Sequence, residues 1–489
     1  MIVRVENPTI SKKETTENQE IATVYPHIEE LLSPKSNIQT IADTSPILKD
    51  LPVESSSSED NDNDSQDLNH FLLLDQVIQD YMIRLKDYGT AQLSQRQEGH
   101  ILALPKLLSH KEENILLKHF FEEVLPLLDA NPAAPWAKLT LSYCKFDVAK
   151  NCFLCIASVH LQKRKNHQNQ ELYTNSVTYL SSIMEVFLKL IGPKNVAAGM
   201  KITSNDALNS FMILVLIYIF LIYTFIESGI SSSARQCFLV FDNIVSGDEL
   251  LVHMAENTSN EDLISLIAVL SWFDCIAAIT SYDCRLPLCQ DEWFGSDNSS
   301  FSLREIMGCP RQIFVILRAI SEIRYKLRRN ILTNNSISLR MSYDSLEARI
   351  VKYREYVIPG LEDDNYQCQL KCAQCWAIAA YVSLIRVISY NEVMIKPLIN
   401  EFLDVYGTLD QNDRIVTQMI WPLFIVGCEC QNNKERLTWL SYIDSLYNIT
   451  LTGVVSSTKK IVTDIWETQQ PVEACIMAFA SENKDFLPV

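Results

Sequence analysis

Cysteines, histidines and carboxylates are the side chains able to hold a metal or attack a substrate, so their spacing is the first question. The chain has 14 Cys and 8 His. Cys152 and Cys155 stand in CFLC, and Cys368, Cys372 and Cys375 stand in CQLKCAQC. The second set falls at i, i+4 and i+7, one face of a helix. A structural zinc ion takes four ligands, usually from Cys and His, and no histidine occurs after His253. With apolar neighbours on every side, both sets read better as buried small hydrophobes than as metal ligands. Cys275, in WFDCIAAI, reads the same way. The opening MIVRVENPTISKKETTENQE is polar and charged, unlike a secretory leader, so reduced thiols of the cytosol or nucleus are expected.

Catalytic spacing is absent. HExxH, the GxSxG elbow and the His/Cys pattern of a deaminase do not occur. EDDNYQ, Glu362–Gln367, has two adjacent aspartates but no third at helical spacing and no second acidic cluster. Magnesium would lack ligands there, and the segment reads as a loop. Only 12 of 489 residues are glycine, and the closest two, Gly192 and Gly199, are seven apart. No stretch can therefore cradle a phosphate with clustered backbone N–H groups. The expectation is a protein that is not an enzyme and needs no cofactor within this chain.

Asp274, inside VLSWFDCIAAI, is the acid that stands out. A carboxylate on a strongly apolar helix must be paired, protonated or lined by solvent. It reads as a structural hydrogen bond or a wet helix edge, with a ligand-sensing acid as the alternative. The basic runs Lys163-Arg164-Lys165 and Arg324–Arg329 read as solvated helix faces, or else as a nuclear import signal or a contact for an acidic partner.

The elements that would position these groups are helical. NHFLLLDQVIQDYMIRL repeats apolar residues at three- and four-residue spacing, and LLKHFFEEVLPLL (Leu116–Leu128) continues the pattern as far as a break at Asn131–Pro135. In CPRQIFVILRAISEIRYKL, Pro310 suits a first turn, and Ile313, Ile316, Leu317, Ile320, Ile323 and Leu327 form one stripe. KCAQCWAIAAYVSLIRVI is apolar nearly all round, as an interior helix would be. No alternating strand pair and no fixed-period repeat is found. Residues 1–67 carry 5 Lys+Arg against 14 Asp+Glu, half of the net charge of −18. They read as a disordered acidic, Ser-rich segment. Its ILKDLPV, Ile47–Val53, is either a solvated linker or an acidic activation segment. Residues 68–489 read as one large all-α domain of packed antiparallel helices. So acidic a surface argues against tight unaided binding of DNA.

The most apolar stretch, Phe211–Ile226, has only Thr224 polar among 16 residues. That is about 24 Å of helix against a hydrocarbon core of ~30 Å. No Lys or Arg cluster flanks it. A central helix of a core, and no membrane attachment, is the reading.

WPLFIVGCEC, Trp421–Cys430, is the most specific segment. A proline after tryptophan interrupts the apolar run VTQMIWPLFIVG, which predicts a kink and a freed carbonyl. Gly427 predicts a close approach of two elements, Glu429 is an acid beside the core, and Arg436 in the next helix is its candidate partner. Trp421, Pro422, Phe424, Gly427, Cys428, Glu429 and Arg436 together resemble the C-terminal signature of the fungal-specific transcription factor domain of binuclear zinc cluster regulators. The similarity is to the branch of arginine, lysine and GABA regulators. In the same order, LLKHFFEEVLPLLD…NPAAPW, ILVLIYIFLIYTFIESGISSSARQCFLVFDNIV, IMGCPRQIFVILRAISEI and KKIVTDIWE resemble further segments of that family over about residues 105–470.

The resemblance implies an all-α regulatory region of a fungal RNA polymerase II regulator, nuclear and in part cytoplasmic. It implies no catalysis, and control of a metabolic gene set through an activating surface. Implied partners are the transcription machinery or co-regulator proteins, a second subunit in a homodimer or heterodimer, and a small metabolite as effector. Family members begin with six cysteines holding two zinc ions, whereas the first cysteine here is Cys144. DNA contact would thus be indirect or come from a zinc cluster missing from this chain. An all-α scaffold that binds proteins without reaching chromatin is the alternative.

Overall fold

Among the described residues, apolar side chains at three- and four-residue spacing become helices nearly everywhere. The computed structural model describes residues 108–128, 147–164, 170–190, 207–246, 261–295, 303, 307–333, 336–354, 364–388, 391–411, 413–479 and 484–489. The acidic segment 1–67, the predicted helix near 68–85, the Asn131–Pro135 break and Lys165 lie outside the described residues.

Fourteen α-helices are described. They are α1 (His110–His119), α2 (Asp147–Arg164), α3 (Gln170–Leu190), α4 (Ala207–Glu227), α5 (Ala234–Val245), α6 (Glu261–Ile279) and α7 (Arg311–Arg328). There follow α8 (Ile337–Arg354), α9 (Asp364–Ile388), α10 (Glu392–Tyr406), α11 (Ile420–Glu429), α12 (Asn433–Thr450), α13 (Gly453–Thr468) and α14 (Val472–Met477). The fold is all-α, and among the described residues the only strands are one antiparallel pair of two residues each, β1 (Ile230–Ser231) and β2 (Asp485–Phe486). No strand was expected from the sequence, since a bridge of two residues leaves no alternating pattern to read.

Several expectations change in detail. Leu116–Leu128 is not one α-helix: α1 passes into a π turn at Phe120–Val124 and a 3-10 turn at Leu125–Leu128. Pro126 has no N–H for an α-type bond, so the ladder cannot continue unchanged. Pro310 stands just outside α7 as its N-cap, with extended backbone angles. Asp364–Gln367, expected in a loop, open α9 instead.

The apolar stretch at 211–226 lies in α4, and Leu214–Ile222 are all buried. Its polar Thr224 donates to Phe220 O at 3.0 Å within the same helix. Among the described residues, the helix whose length and composition suffice to cross a membrane is a different one, Gln367–Ile388 within α9, and it is largely buried inside the protein. Helix α9 is the hub that explains this burial. It packs against α7, α8, α10 and α11, so neighbours cover most of its circumference.

In the basic runs Arg164, Arg328 and Arg329 are exposed, as solvated faces would have them, but one cation of each run is drawn inward. Lys163 on α2 donates Nζ to Ile226 O and to Glu227 O, closing the C-terminal end of α4. Arg324 on α7 does the same for α6, donating to Ile279 O and Ser281 O, each at 2.9 Å. Cations satisfy the orphan carbonyls and the negative end of the dipole there. Burial lowers the Lys163 ammonium to about 8.

Candidate functional site

The tryptophan-proline segment begins with a short 3-10 helix, Arg414–Gln418, whose N-cap Asp413 accepts from Ile415 N. Thr417 and Gln418 donate to Leu127 O at 3.0 and 3.1 Å, tying this turn to the end of the Leu125–Leu128 turn. At Met419 the backbone leaves helical angles (φ −99°, ψ 13°), and α11 starts at Ile420. Pro422 therefore lies in the first turn of a new helix. It does not kink a continuous one, which corrects the expectation. In the first turn the missing N–H has no intrahelical partner to lose, so proline is tolerated at little cost.

Every face of α11 is covered. Trp421 stacks on Trp376 of α9, with centroids 5.2 Å apart and planes at 16°. Phe424 meets Phe486 edge-on at 5.2 Å. Gly427 lies against Trp439 of α12: a Cβ there would stand 2.5 Å from Trp439 Cε2. The close approach expected at this glycine is thus an indole laid on backbone. Two indoles also use α11 carbonyls, Trp439 Nε1 donating to Leu423 O and Trp466 Nε1 to Gly427 O, both at 2.8 Å. Trp421, Trp376 and Trp272 differ from these, for their indole N–H groups are buried without a hydrogen-bond partner. Trp272 and Trp376 each contact Phe314, so the three form one connected aromatic cluster with Trp421.

Glu429 pairs with Arg386 near the end of α9, at 3.2 Å. Arg436 takes another role. Its Nε donates to Cys430 O at 3.1 Å and its guanidinium lies over the Trp466 ring. The reason is direction: Asn432 and Glu435 form a capping box that starts α12, and Arg436 then faces back along the turn it closes. Arg386 also donates to Glu473 of α14 at 2.8 Å. Burial works against the Arg386 charge, but Glu473 and Glu429 outweigh it and hold the guanidinium above its usual range. Burial pushes the Cys428 thiol well up, against the opposing pull of Arg386. The sequence offered one signal for Arg386, a lone cation in the apolar run LIRVI.

Asp274 is wholly buried and filled by its own chain. Oδ1 accepts from Arg285 Nη1 at 2.7 Å, and Oδ2 accepts from Leu288 N at 2.6 Å and Cys289 N at 2.9 Å. The acid thereby fixes the loop that follows α6. Arg318 of α7 holds the same loop from the other side, donating to Cys289 O at 2.9 Å and Asp291 Oδ1 at 3.1 Å.

Thirteen cysteines are described, all as free thiols. Cys372 and Cys375 are fully buried, and burial raises both thiols. Cys372 Sγ lies 3.3 Å from Met419 Sδ, directly before α11. Among the described residues no group of three or more His, Cys, Asp and Glu is arranged to hold a metal ion. The signature residues thus form a junction, in which one short helix joins α9, α12, α13 and β2.

A family model described as "Fungal specific transcription factor domain" matches residues 115–477. No curated protein and no solved structure matches the chain.

Proposed function

The chain belongs to the fungal-specific transcription factor domain family, and on that premise we propose that it is the regulatory region of a fungal RNA polymerase II transcription regulator. The observation that carries this is the match over 115–477, most of the described helical body. Transcription regulation is the role the family supports. The finer reading is that this non-catalytic body holds or releases an activating surface in the nucleus, on the genes of a metabolic pathway. It would do so by a two-state shift that a partner or metabolite biases. Co-regulator proteins or the transcription machinery are the proposed partners, with a second subunit in a homodimer or heterodimer. DNA recognition is assigned to no residue here; it would be indirect, or come through a zinc cluster outside this chain.

For a small metabolite, the Trp376–Trp421 stack is proposed over Asp274, to be reached only when the two-state shift opens the junction, since both rings are buried. The Asp274 oxygens are occupied by Arg285, Leu288 and Cys289. The indole N–H groups of Trp272, Trp376 and Trp421 are donors with no acceptor, and buried indoles ordinarily find one.

The test is to fuse residues 1–489 to an unrelated DNA-binding module above a reporter. A changed reporter output that responds to substitutions in the α11 junction is expected. Output equal to that of the DNA-binding module alone would sink the regulator reading and favour a scaffold acting away from chromatin. Thermal shift with candidate pathway metabolites tests the effector separately. Trp421→Phe should abolish any midpoint shift, and Asp274→Asn should preserve it.

A further inference from the structure

The one strand pairing among the described residues attaches residues 485–489, hereafter the tail. Residues 485–489 are all buried although none belongs to a helix. Their backbone is recognised on both sides. Ile230 pairs with Phe486 and Ser231 with Asp485, Leu487 N donates to Gly229 O at 2.8 Å, and Thr280 Oγ1 donates to Phe486 O at 2.9 Å. Gly229, at φ +69°, turns the chain out of α4 so that its carbonyl faces the tail.

Two side chains add selectivity. Asp485, 2% exposed, receives Nε and Nη2 of Arg235, while the same guanidinium reaches Asp283 through Nη1 and Nη2 at 2.8 Å. Burial would lower that guanidinium, but its bonds to the two carboxylates raise it further above its usual range. Phe486 fits between Phe424 of α11 and Phe479. The slot thus reads an extended backbone, an acid and then an aromatic. Strand addition to an exposed edge works in this way, with main-chain bonds giving affinity and alternate side chains giving specificity.

We propose that residues 229–235 and 280–283 with Phe424 form a peptide-docking slot. The tail fills it in cis, and an extended acid–aromatic–aliphatic segment of a partner protein takes it in trans. The partner's carboxylate would replace Asp485 on Arg235, and its aromatic ring would replace Phe486 on Phe424. The ladder is only two residues long, so the Asp485 carboxylate and the Phe486 ring chiefly hold the segment, and an occupant that offers the same acid and ring can exchange with it. A tethered tail acts at an effective concentration on the order of mM. An identical tail from a second copy therefore gains nothing over the one in place, and only a better-fitting foreign segment displaces it. Displacement changes what lies against Phe424, the face by which α11 meets the tail. The inference rests on the regulator reading only for what kind of protein the partner is.

A labelled Glu482–Val489 peptide is titrated into the full chain carrying Asp485→Ala with Phe486→Ala, and into the wild type, with anisotropy as readout. The variant should bind at least tenfold more tightly than the wild type. Adding Arg235→Ala should remove that binding, and a peptide with Asp485→Ala should not bind. No binding by a variant with wild-type helicity and cooperative melting overturns the proposal, as does equal binding of both peptides. Hydrogen exchange on the unaltered protein tests it if the double variant fails to fold. The Leu487 amide should exchange at least tenfold faster than the α9 amides, and exchange only together with α9 overturns exchangeability. Concentration-dependent dimers of wild type lost in Asp485→Ala would make the occupant a second copy and overturn the partner assignment. None of these readouts uses the reporter, so the slot and the regulator reading fail separately.

Discussion

Replacing Arg386 by Met removes the cation from a pair whose side chains are 12% and 7% exposed for Arg386 and Glu429. Taking away one member of a buried ion pair leaves the other charge uncompensated, which costs about 3–5 kcal/mol. The second arm, to Glu473, is different: that side chain is 57% exposed, and such pairs contribute about 0–1 kcal/mol. Arg386→Met should therefore destabilise by about 3–5 kcal/mol, and Glu473→Ala by less than about 1 kcal/mol. Met keeps most of the packing of the Arg386 stem, so the loss reports charge. Removing both charges, with Arg386→Met and Glu429→Met, should be less harmful than Arg386→Met alone, because no carboxylate is then stranded. Urea unfolding followed by circular dichroism and by tryptophan fluorescence measures all three variants beside the wild type, with the slope checked for change. If Arg386→Met costs no more than Glu473→Ala, or if the double variant falls below the single one, the junction is not held by this charge.

Three further outcomes follow from the same structure. Gly427→Ala places a methyl 2.5 Å from Trp439 Cε2, so it should cost about 1–3 kcal/mol by overpacking and change Trp439 fluorescence; unchanged fluorescence and stability would contradict the close contact. Asp274→Asn keeps an acceptor for the 285–289 loop while Asp274→Ala strands Arg285 and two amides, so Ala should cost more than Asn by about 1–3 kcal/mol, read by denaturation and by proteolysis of the loop. In alkali the buried thiols decide the sign. Cys152 and Cys237 are pushed up to about 12 by burial, whereas unfolded thiols lose their protons near pH 9, so the unfolded state binds fewer protons in between. Stability should fall from about pH 9 towards 12 by about 1.4 kcal/mol per pH unit for each such thiol. Lys163, lowered to about 8 by burial, acts in the opposite direction as a single group, so a melting temperature that rises steadily above pH 9 would refute the burial of the thiols.

Helical class, the buried course of α4 and α9, and the special standing of Trp421–Glu429 were legible without coordinates. The reason is that each rests on local quantities: apolar spacing along one chain segment, scarcity of glycine, and the pairing of tryptophan with proline. Of the α7 stripe, Ile313, Ile316, Leu317, Ile320 and Ile323 are buried as the spacing predicts, while Leu327 at the helix end is only half-buried. Partners were not legible, because a side chain's sequence neighbours do not say which helix it will face. Glu429 stands seven residues from Arg436 yet pairs with Arg386, 43 residues earlier, since the capped start of α12 turns Arg436 towards Cys430 and Trp466. The basic runs look solvated in sequence because charge normally is; only packing shows Lys163 and Arg324 closing the ends of α4 and α6. Even more depends on tertiary structure in the tail, where Asp485 and Phe486 meet Ile230, Ser231 and Arg235 some 250 positions away. Local spacing thus determined which segments are helices and which faces they bury. Tertiary structure alone decided which charges pair and which segments cross-link the body, because those choices depend on elements brought together only when the whole core closes.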